Sequence, residues 1–130
     1  MRVIIIEDET PAANRLSKLL KGIDADTEIT AVLDSIESSV KYLQAPKNID
    51  LIFMDIQLAD GLSFDIFQQI KIETPVIFTT AYDQYALQAF KVNSIDYILK
   101  PFDKDDISNA IKKLQSLQGT QTAAIDYNAV

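Results

Sequence analysis

The chain has 130 residues, enough for one domain of ordinary size, and its 48% hydrophobic content is ample for a single core. A formal net charge of -7 and a pI near 4.4 oppose binding of a phosphate backbone by this segment and suit a protein that holds a cation. With no Cys and no His, the composition excludes a disulfide framework, a thiol nucleophile, a thiolate or imidazole metal site, a Ser/His catalytic pair and a phosphohistidine carried by the chain itself.

Strands and helices alternate from the start. The β-branched run Arg2–Ile6 predicts a strand that ends in Glu7 and Asp8, acid that comes too soon for a signal peptide. Leu16, Leu19, Leu20 and Ile23 recur at helical spacing behind Thr10, a predicted N-cap, and the first-turn Pro11. Glu9 reads as a first-turn charge with no metal role. Glu28–Leu33 predicts the second strand, and Ser35 opens a helix on Ile36, Val40 and Leu43.

In the stretch LIFMDIQLADG, Leu51–Met54 predicts the third strand, Asp55 closes it, and Asp60-Gly61 reads as turn chemistry. Phe67 and Ile70 mark a third helix, Val76–Thr79 a fourth strand, and Ala86, Ala89 and Phe90 the inward stripe of a fourth helix. Tyr97–Leu99 is the fifth strand, and Ile107, Ala110, Ile111 and Leu114 form a fifth helix entered at Asp103. From Gln118 onward the apolar period is lost, so 1–117 is the expected domain and 118–130 an expected linker or disordered, frayed tail. No apolar run is long enough to span a bilayer, so no membrane partner is expected and the expected location is the cytoplasm.

The pattern is (βα)5, an α/β fold of the flavodoxin-like, doubly wound kind, with a parallel five-stranded sheet and helices on both faces. In such sheets ligands bind beyond the carboxyl ends of the strands, where the strand order reverses. With the order 2-1-3-4-5, one crevice gathers Glu7, Asp8, Asp55, Thr79, Thr80 and Lys100. A lone Asp after a strand is usually a turn former; several charged strand ends meeting at one edge read differently.

Clustered carboxylates repel and require a cation at neutral pH, and all-oxygen ligation suits Mg2+. Lys100 adds a compact positive charge and Thr80 a hydroxyl donor, which together resemble a clamp for a phosphoryl group. A carboxylate held there can itself be the nucleophile, and Asp55 is the central candidate.

The acidic pair Glu7-Asp8, the loop MDIQLADG around Asp55, the TTA of Thr79 to Ala81 and the KPF of Lys100 to Phe102 follow one another at strand ends. In that order they resemble the receiver domain of a two-component response regulator, over Met1 to about Leu117. The stretch VIFTTAYDQYALQAFKVNSIDYILKPF is similar more specifically to receivers of LytTR-type (LytR/AlgR) regulators, which usually carry a DNA-binding domain after the receiver. Any DNA contact is therefore expected only through a domain outside this chain.

The resemblance implies the strand order 2-1-3-4-5 and a set of roles. Asp55 accepts a phosphoryl group from the phosphohistidine of a sensor histidine kinase; Asp8, Asp55 and the backbone carbonyl of Gln57 ligate Mg2+, with Glu7 acting through a metal-bound water. Lys100 pairs with the phosphoryl oxygens, the Thr80 hydroxyl turns inward to one of them, and Tyr97 follows as the aromatic switch. Thr79 and Thr80 point to opposite sides of their strand, so only one can serve, and Thr80, immediately before Ala81, is the choice.

The Lys100-Pro101 peptide is implied to be cis. Gln57 and Tyr82 flank the path of attacking water and tune hydrolysis. Glu7 departs from the two aspartates that many receivers carry in the acidic pair, and its longer side chain reaches further toward the metal. The output surface is the fourth helix, fifth strand and fifth helix, where Tyr85, Phe90, Lys91 and Asp96 suit a homodimer that strengthens on phosphorylation.

Other readings use the same frame: a stand-alone receiver acting by protein-protein contact, a haloacid dehalogenase-like phosphohydrolase, or a flavodoxin-like cofactor module. The hydrolases place a second Asp two residues after the nucleophile, where this chain has Gln57, and the loop EDETPAAN lacks the glycine of a phosphate cradle.

Overall fold

Runs of β-branched and aromatic residues that are apolar without interruption suit strands covered on both faces. The computed structural model, which describes residues 1–45, 48–92 and 94–129 with 119–129 as backbone alone, places such runs at the centre of a parallel five-stranded sheet. Strands β1 (Arg2–Ile6), β3 (Leu51–Asp55) and β6 (Val76–Thr80) are buried almost throughout, while β2 (Glu28–Leu33) and β7 (Asp96–Leu99) are the partly exposed edges. The order is β2-β1-β3-β6-β7, which is 2-1-3-4-5 among the strands of this sheet.

Alternation along each strand divides the core in two. Val3, Ile5, Phe53 and Ile77 face helices α1 (Thr10–Ile23) and α5 (Lys104–Ala129). Ile4, Ile6, Ile52, Met54 and Phe78 face α2 (Ile36–Leu43), α3 (Phe64–Gln69) and α4 (Ala86–Lys91). Among the described residues, no helix is long and apolar enough to cross a membrane.

The helix ends refine the sequence reading. Glu9, rather than Thr10, is the N-cap of α1: its backbone is extended and its carbonyl accepts from Ala13 N at 3.0 Å. Thr10 is thereby the first helical residue, and Pro11 still occupies a position whose missing N–H costs nothing. Ser35 caps α2 in a capping box with Ser38, as expected. Asp103 opens α5 by accepting from Asp106 N at 3.0 Å while Asp106 accepts from Asp103 N at 2.9 Å.

In α3 Phe64 and Ile66 are buried, and the expected Phe67 and Ile70 are partly buried against the same core, although the helix stops at Gln69 and Ile70 is extended. In α4 only Ala89 is buried, and Phe90, assigned from sequence to the inward stripe, is 80% exposed. The backbone of α5 runs on as helix through Ala129, past Gln118 where a linker or frayed tail was expected; Val130 lies outside the described residues. The segment after Gln118 contains no proline, so no residue in it lacks the N–H that a continuing helix needs.

Between Asp55 and α3, a two-residue hairpin pairs β4 (Gln57–Leu58) with β5 (Gly61–Leu62). Gly61 has φ 139°, a backbone region that side chains rarely adopt, and a Cβ there would stand 3.2 Å from Ile36 Cδ1. Asp60 does more than turn: its carboxylate accepts from Ile36 N at 2.9 Å and Glu37 N at 3.2 Å, tying the acceptor loop to the start of α2.

Candidate functional site

Parallel strands deliver their carboxyl ends to one edge. β1 runs into Glu7 and Asp8, β3 ends on Asp55, β6 ends on Thr80, and Lys100 follows β7. The pairings Ile6 with Met54, Asp55 with Thr79 and Thr80 with Leu99 keep these ends level. Between them opens a crevice of about 320 Å3 lined by Asp8, Glu9, Asp55, Gln57, Leu58, Thr80, Ala81, Tyr82 and Lys100.

One carboxylate oxygen from each of Glu7, Asp8 and Asp55 lies within 4.8 Å of the others. Lys100 Nζ donates to Glu7 Oε1 at 2.6 Å and to Asp55 Oδ2 at 3.0 Å. Glu7 and Asp55 are nearly sealed from solvent, at 6% and 7% exposure. Burial pushes the Glu7 carboxyl above its ordinary range, and the hydrogen bond to Asp55 pushes the same way, outweighing Lys100. Asp8 is raised as well, first by burial and then by Glu7. Burial alone would pull the Lys100 ammonium down, but its bonds to Glu7 and Asp55 leave it above its ordinary value.

One ammonium among three carboxylates leaves an excess of negative charge, and every anionic donor is oxygen. That donor set fits a hard divalent cation, which takes one or two carboxylates and keeps waters. A carboxylate beside both a cation site and an ammonium is also arranged to meet a phosphoryl group, whose oxygens both charges neutralise.

The structure brings together Glu7, Asp8, Asp55, Gln57, Thr80, Tyr82 and Lys100 of the residues singled out from sequence. Thr79 and Thr80 are both buried, but Thr80 borders the crevice and its hydroxyl accepts from Tyr82 N at 3.2 Å. Lys100 N donates to Thr80 O at 2.7 Å, joining the ends of β6 and β7. The Lys100–Pro101 peptide is cis. Tyr97 stands outside the crevice, half-buried, with its hydroxyl donating to the Tyr82 carbonyl and its pKa raised chiefly by burial.

Three residues with a bearing on this edge were not anticipated in these positions. Glu9 caps α1 and also lines the crevice. Arg15 Nη2 donates to the Phe102 carbonyl at 2.5 Å and its guanidinium lies 5.3 Å from the centre of the buried Phe102 ring, which pins the turn after Lys100 to α1. Tyr85 accepts a hydrogen bond from Gln57 Nε2 at 3.1 Å. The last two join residues 87 and 28 positions apart, and no local pattern announces either.

Known proteins resemble this arrangement in both sequence and shape. The profile of the response regulator receiver domain family matches residues 3–112. Over 124 residues the chain is 39% identical to the sensory transduction protein LytT of Bacillus anthracis, an alignment spanning 93% of this chain and 50% of that protein. The transcriptional regulatory protein LytR of Staphylococcus aureus (strain N315) is 37% identical over 119 residues, spanning 89% of this chain and 48% of LytR. The chain thus spans about half the length of the curated relatives it matches. Among solved structures, the response regulatory domain of mrkE from Klebsiella pneumoniae superposes with a TM-score of 0.77 at 35% identity, covering 92% of this chain and 99% of that one.

Proposed function

This chain belongs to the response regulator receiver domain family, and from that membership we propose that it is a phosphoacceptor switch in two-component signalling, the receiver of a LytTR-type transcriptional regulator. The observation that carries this reading is Lys100 Nζ bridging Glu7 and Asp55 beside Asp8 at the end of the sheet. A sensor histidine kinase is the donor. A bond forms between an Asp55 carboxylate oxygen and phosphorus, the bond from phosphorus to the kinase imidazole nitrogen breaks, and its electron pair stays on that nitrogen.

Lys100 receives the phosphoryl oxygens. Asp8, Asp55 and the Gln57 backbone carbonyl hold Mg2+, with Glu7 acting through a water. Bound there, Mg2+ supplies positive charge to the phosphoryl oxygens. The Thr80 hydroxyl leaves Tyr82 N for a phosphoryl oxygen, and Tyr97 releases the Tyr82 carbonyl and turns inward. Those two exchanges bias an equilibrium between two arrangements of the loop after β6. The face of α4, β7 and α5, with Tyr85, Phe90, Lys91 and Asp96, then joins a second copy.

Residues 1–117 are the receiver and 118–130 a linker, helical in part, toward a LytTR DNA-binding domain outside this chain. The setting is the cytoplasm, and the chain is a switch rather than an enzyme, with at most slow self-dephosphorylation. Gln57 at the position of a hydrolase's second Asp disfavours turnover of phosphate esters.

The test is intact mass after incubation with acetyl phosphate and Mg2+, for the parent and Asp55→Asn. A single phosphoryl adduct on the parent alone supports the reading. An adduct on neither, with a sensor histidine kinase also failing as donor, turns the assignment toward a receiver that acts by binding alone.

A further inference from the structure

The loop after β6 is held by more than Thr80 and Tyr97. In the 3-10 turn Asp83–Tyr85 that leads into α4, the half-buried Tyr85 sets its ring 6.2 Å from Phe64 of α3 and edge-on to Tyr82 at 6.5 Å. Its hydroxyl accepts from Gln57 Nε2 at 3.1 Å, two residues beyond Asp55. Tyr82, the ring partner, has its N–H on Thr80 and its carbonyl under Tyr97. One side chain therefore bridges the acceptor loop, the core on the α3 side, and the residue whose peptide groups Thr80 and Tyr97 hold.

We propose that Tyr85 is a positioning residue that restrains phosphorylation of Asp55: through its hydroxyl on Gln57 and its ring on Phe64 and Tyr82, it fastens the acceptor loop to the loop after β6 in the unphosphorylated arrangement. This rests on the phosphoacceptor reading above. A contact made in one arrangement and lost in the other shifts the equilibrium toward the first by its own free energy. Removing the hydroxyl while keeping the ring thus frees the loop after β6 and speeds acceptance of a phosphoryl group, by about threefold if one hydrogen bond is at stake.

The experiment compares the parent, Tyr85→Phe, Gln57→Ala and the double variant in two measurements. The first is amide hydrogen exchange over residues 81–92 without phosphodonor or metal; the second is the rate of adduct formation from acetyl phosphate with Mg2+, read by intact mass. Expected are about threefold faster exchange and about threefold faster adduct formation in Tyr85→Phe, with the double variant no faster than either single one. A merely structural loss at Tyr85 would add to the Gln57→Ala effect instead of being absorbed by it, and that result overturns the proposal. So does exchange in Tyr85→Phe equal to the parent, or equal adduct rates on a parent that does phosphorylate. No adduct on the parent from any donor defeats the phosphoacceptor reading and the positioning role with it, whereas equal rates defeat the positioning role alone.

Discussion

Helices α1 and α4 lie on opposite faces of the sheet, each entered from a segment that lines the crevice (Asp8 and Glu9 before α1, Thr80 to Tyr82 before α4), yet they are built differently. α1 has 14 residues, buries Ala13, Leu16 and Leu20, and is pinned by Arg15 to the Phe102 carbonyl. α4 has 6 residues, buries only Ala89, and leaves Leu87 and Phe90 exposed at 68% and 80%. Local stability follows buried contact, so α1 is a frame and α4 the element that opens at low free energy. The acidic pair sits at the entrance to the frame, while Thr80 leads into the loose side. The proposed phosphoacceptor switch would need that asymmetry, with the groups that hold charge fixed and the groups that read it free to move.

The sharpest way to break the comparison is to truncate one residue on each helix. Leu20, 1% exposed, lies in the core under α1, and Leu20→Ala is expected to lower unfolding free energy by about 2–5 kcal/mol. Phe90→Ala is expected to change it by less than about 0.5 kcal/mol, since the ring is in solvent. Urea denaturation checks both, and equal losses would mean that α4 is as firmly anchored as α1.

If α4 is the reader, its exposed apolar side chains have a use when the switch turns. Phe90→Asp is expected to weaken the dimer of phosphorylated protein at least about tenfold, as loss of an interface anchor does, and to leave the phosphorylation rate as it was. Sedimentation velocity with and without phosphodonor measures this. Parent protein that sediments identically in both states ends the idea of a phosphorylation-dependent dimer on this face.

The frame makes its own prediction with pH. Glu7 and Asp8 have folded pKa values raised above 4.5 and 3.8, so the metal-free fold holds their protons more tightly than the unfolded chain does. Their contribution to stability is fully present below those ordinary values and is lost as pH rises through the raised ones. Metal-free protein should therefore lose this increment as pH climbs out of the mildly acidic range. Mg2+ should restore stability at neutral pH and do little near pH 4, since each proton that must leave costs about 1.4 kcal/mol per pH unit below its pKa. Thermal melts with and without Mg2+ across that range check the sign; a Mg2+ effect independent of pH would remove Glu7 and Asp8 from the metal's surroundings.

Much of this frame was legible in the sequence, for a physical reason. Central parallel strands are buried on both faces, so VIII, LIFM and VIFT announce themselves, and the charged residue that ends each run marks the edge where charge can gather. The loose side was harder to read. A helix of 6 residues is under two turns, too short for periodicity to say which face turns inward: Phe90, read both in the apolar stripe and on the output surface, lies in solvent. Contacts between distant segments carry no local mark either: Arg15 with Phe102, Gln57 with Tyr85, and Asp60 with the start of α2 are set by tertiary approach. Asp60 read as a turn residue, and it is one, but its carboxylate serves a helix 24 residues back.

That carboxylate offers the next smaller effect. Its pKa is lowered, first by the hydrogen bond from Ile36 N, so its stabilisation is present above the ordinary value of 3.8 and fades as pH falls through the lowered one. Asp60→Ala is expected to cost about 1 kcal/mol at neutral pH, the worth of a helix cap, and less in strong acid. Urea midpoints at neutral pH and near pH 3 test it. A loss that does not shrink in acid would mean that the loop's shape, not the charge on the α2 N-terminus, is what Asp60 supplies.

The smallest effect falls where the two sides meet. Tyr82 belongs to the loose loop, is 46% exposed, and lines the crevice whose other wall is the fixed acidic edge. If its ring flanks the path of water to a phosphoryl group on Asp55, its bulk should slow hydrolysis while its backbone serves Thr80 and Tyr97. Tyr82→Ala keeps that backbone while removing the bulk and, with it, the edge contact to the Tyr85 ring, and phosphoryl loss should speed up about threefold, under about 1 kcal/mol of barrier. Timed intact-mass measurements after donor removal give the rate. Loss no faster than in the parent would show that the loose side reports the phosphoryl group without protecting it, and that the lifetime of the signal is set wholly by the fixed wall.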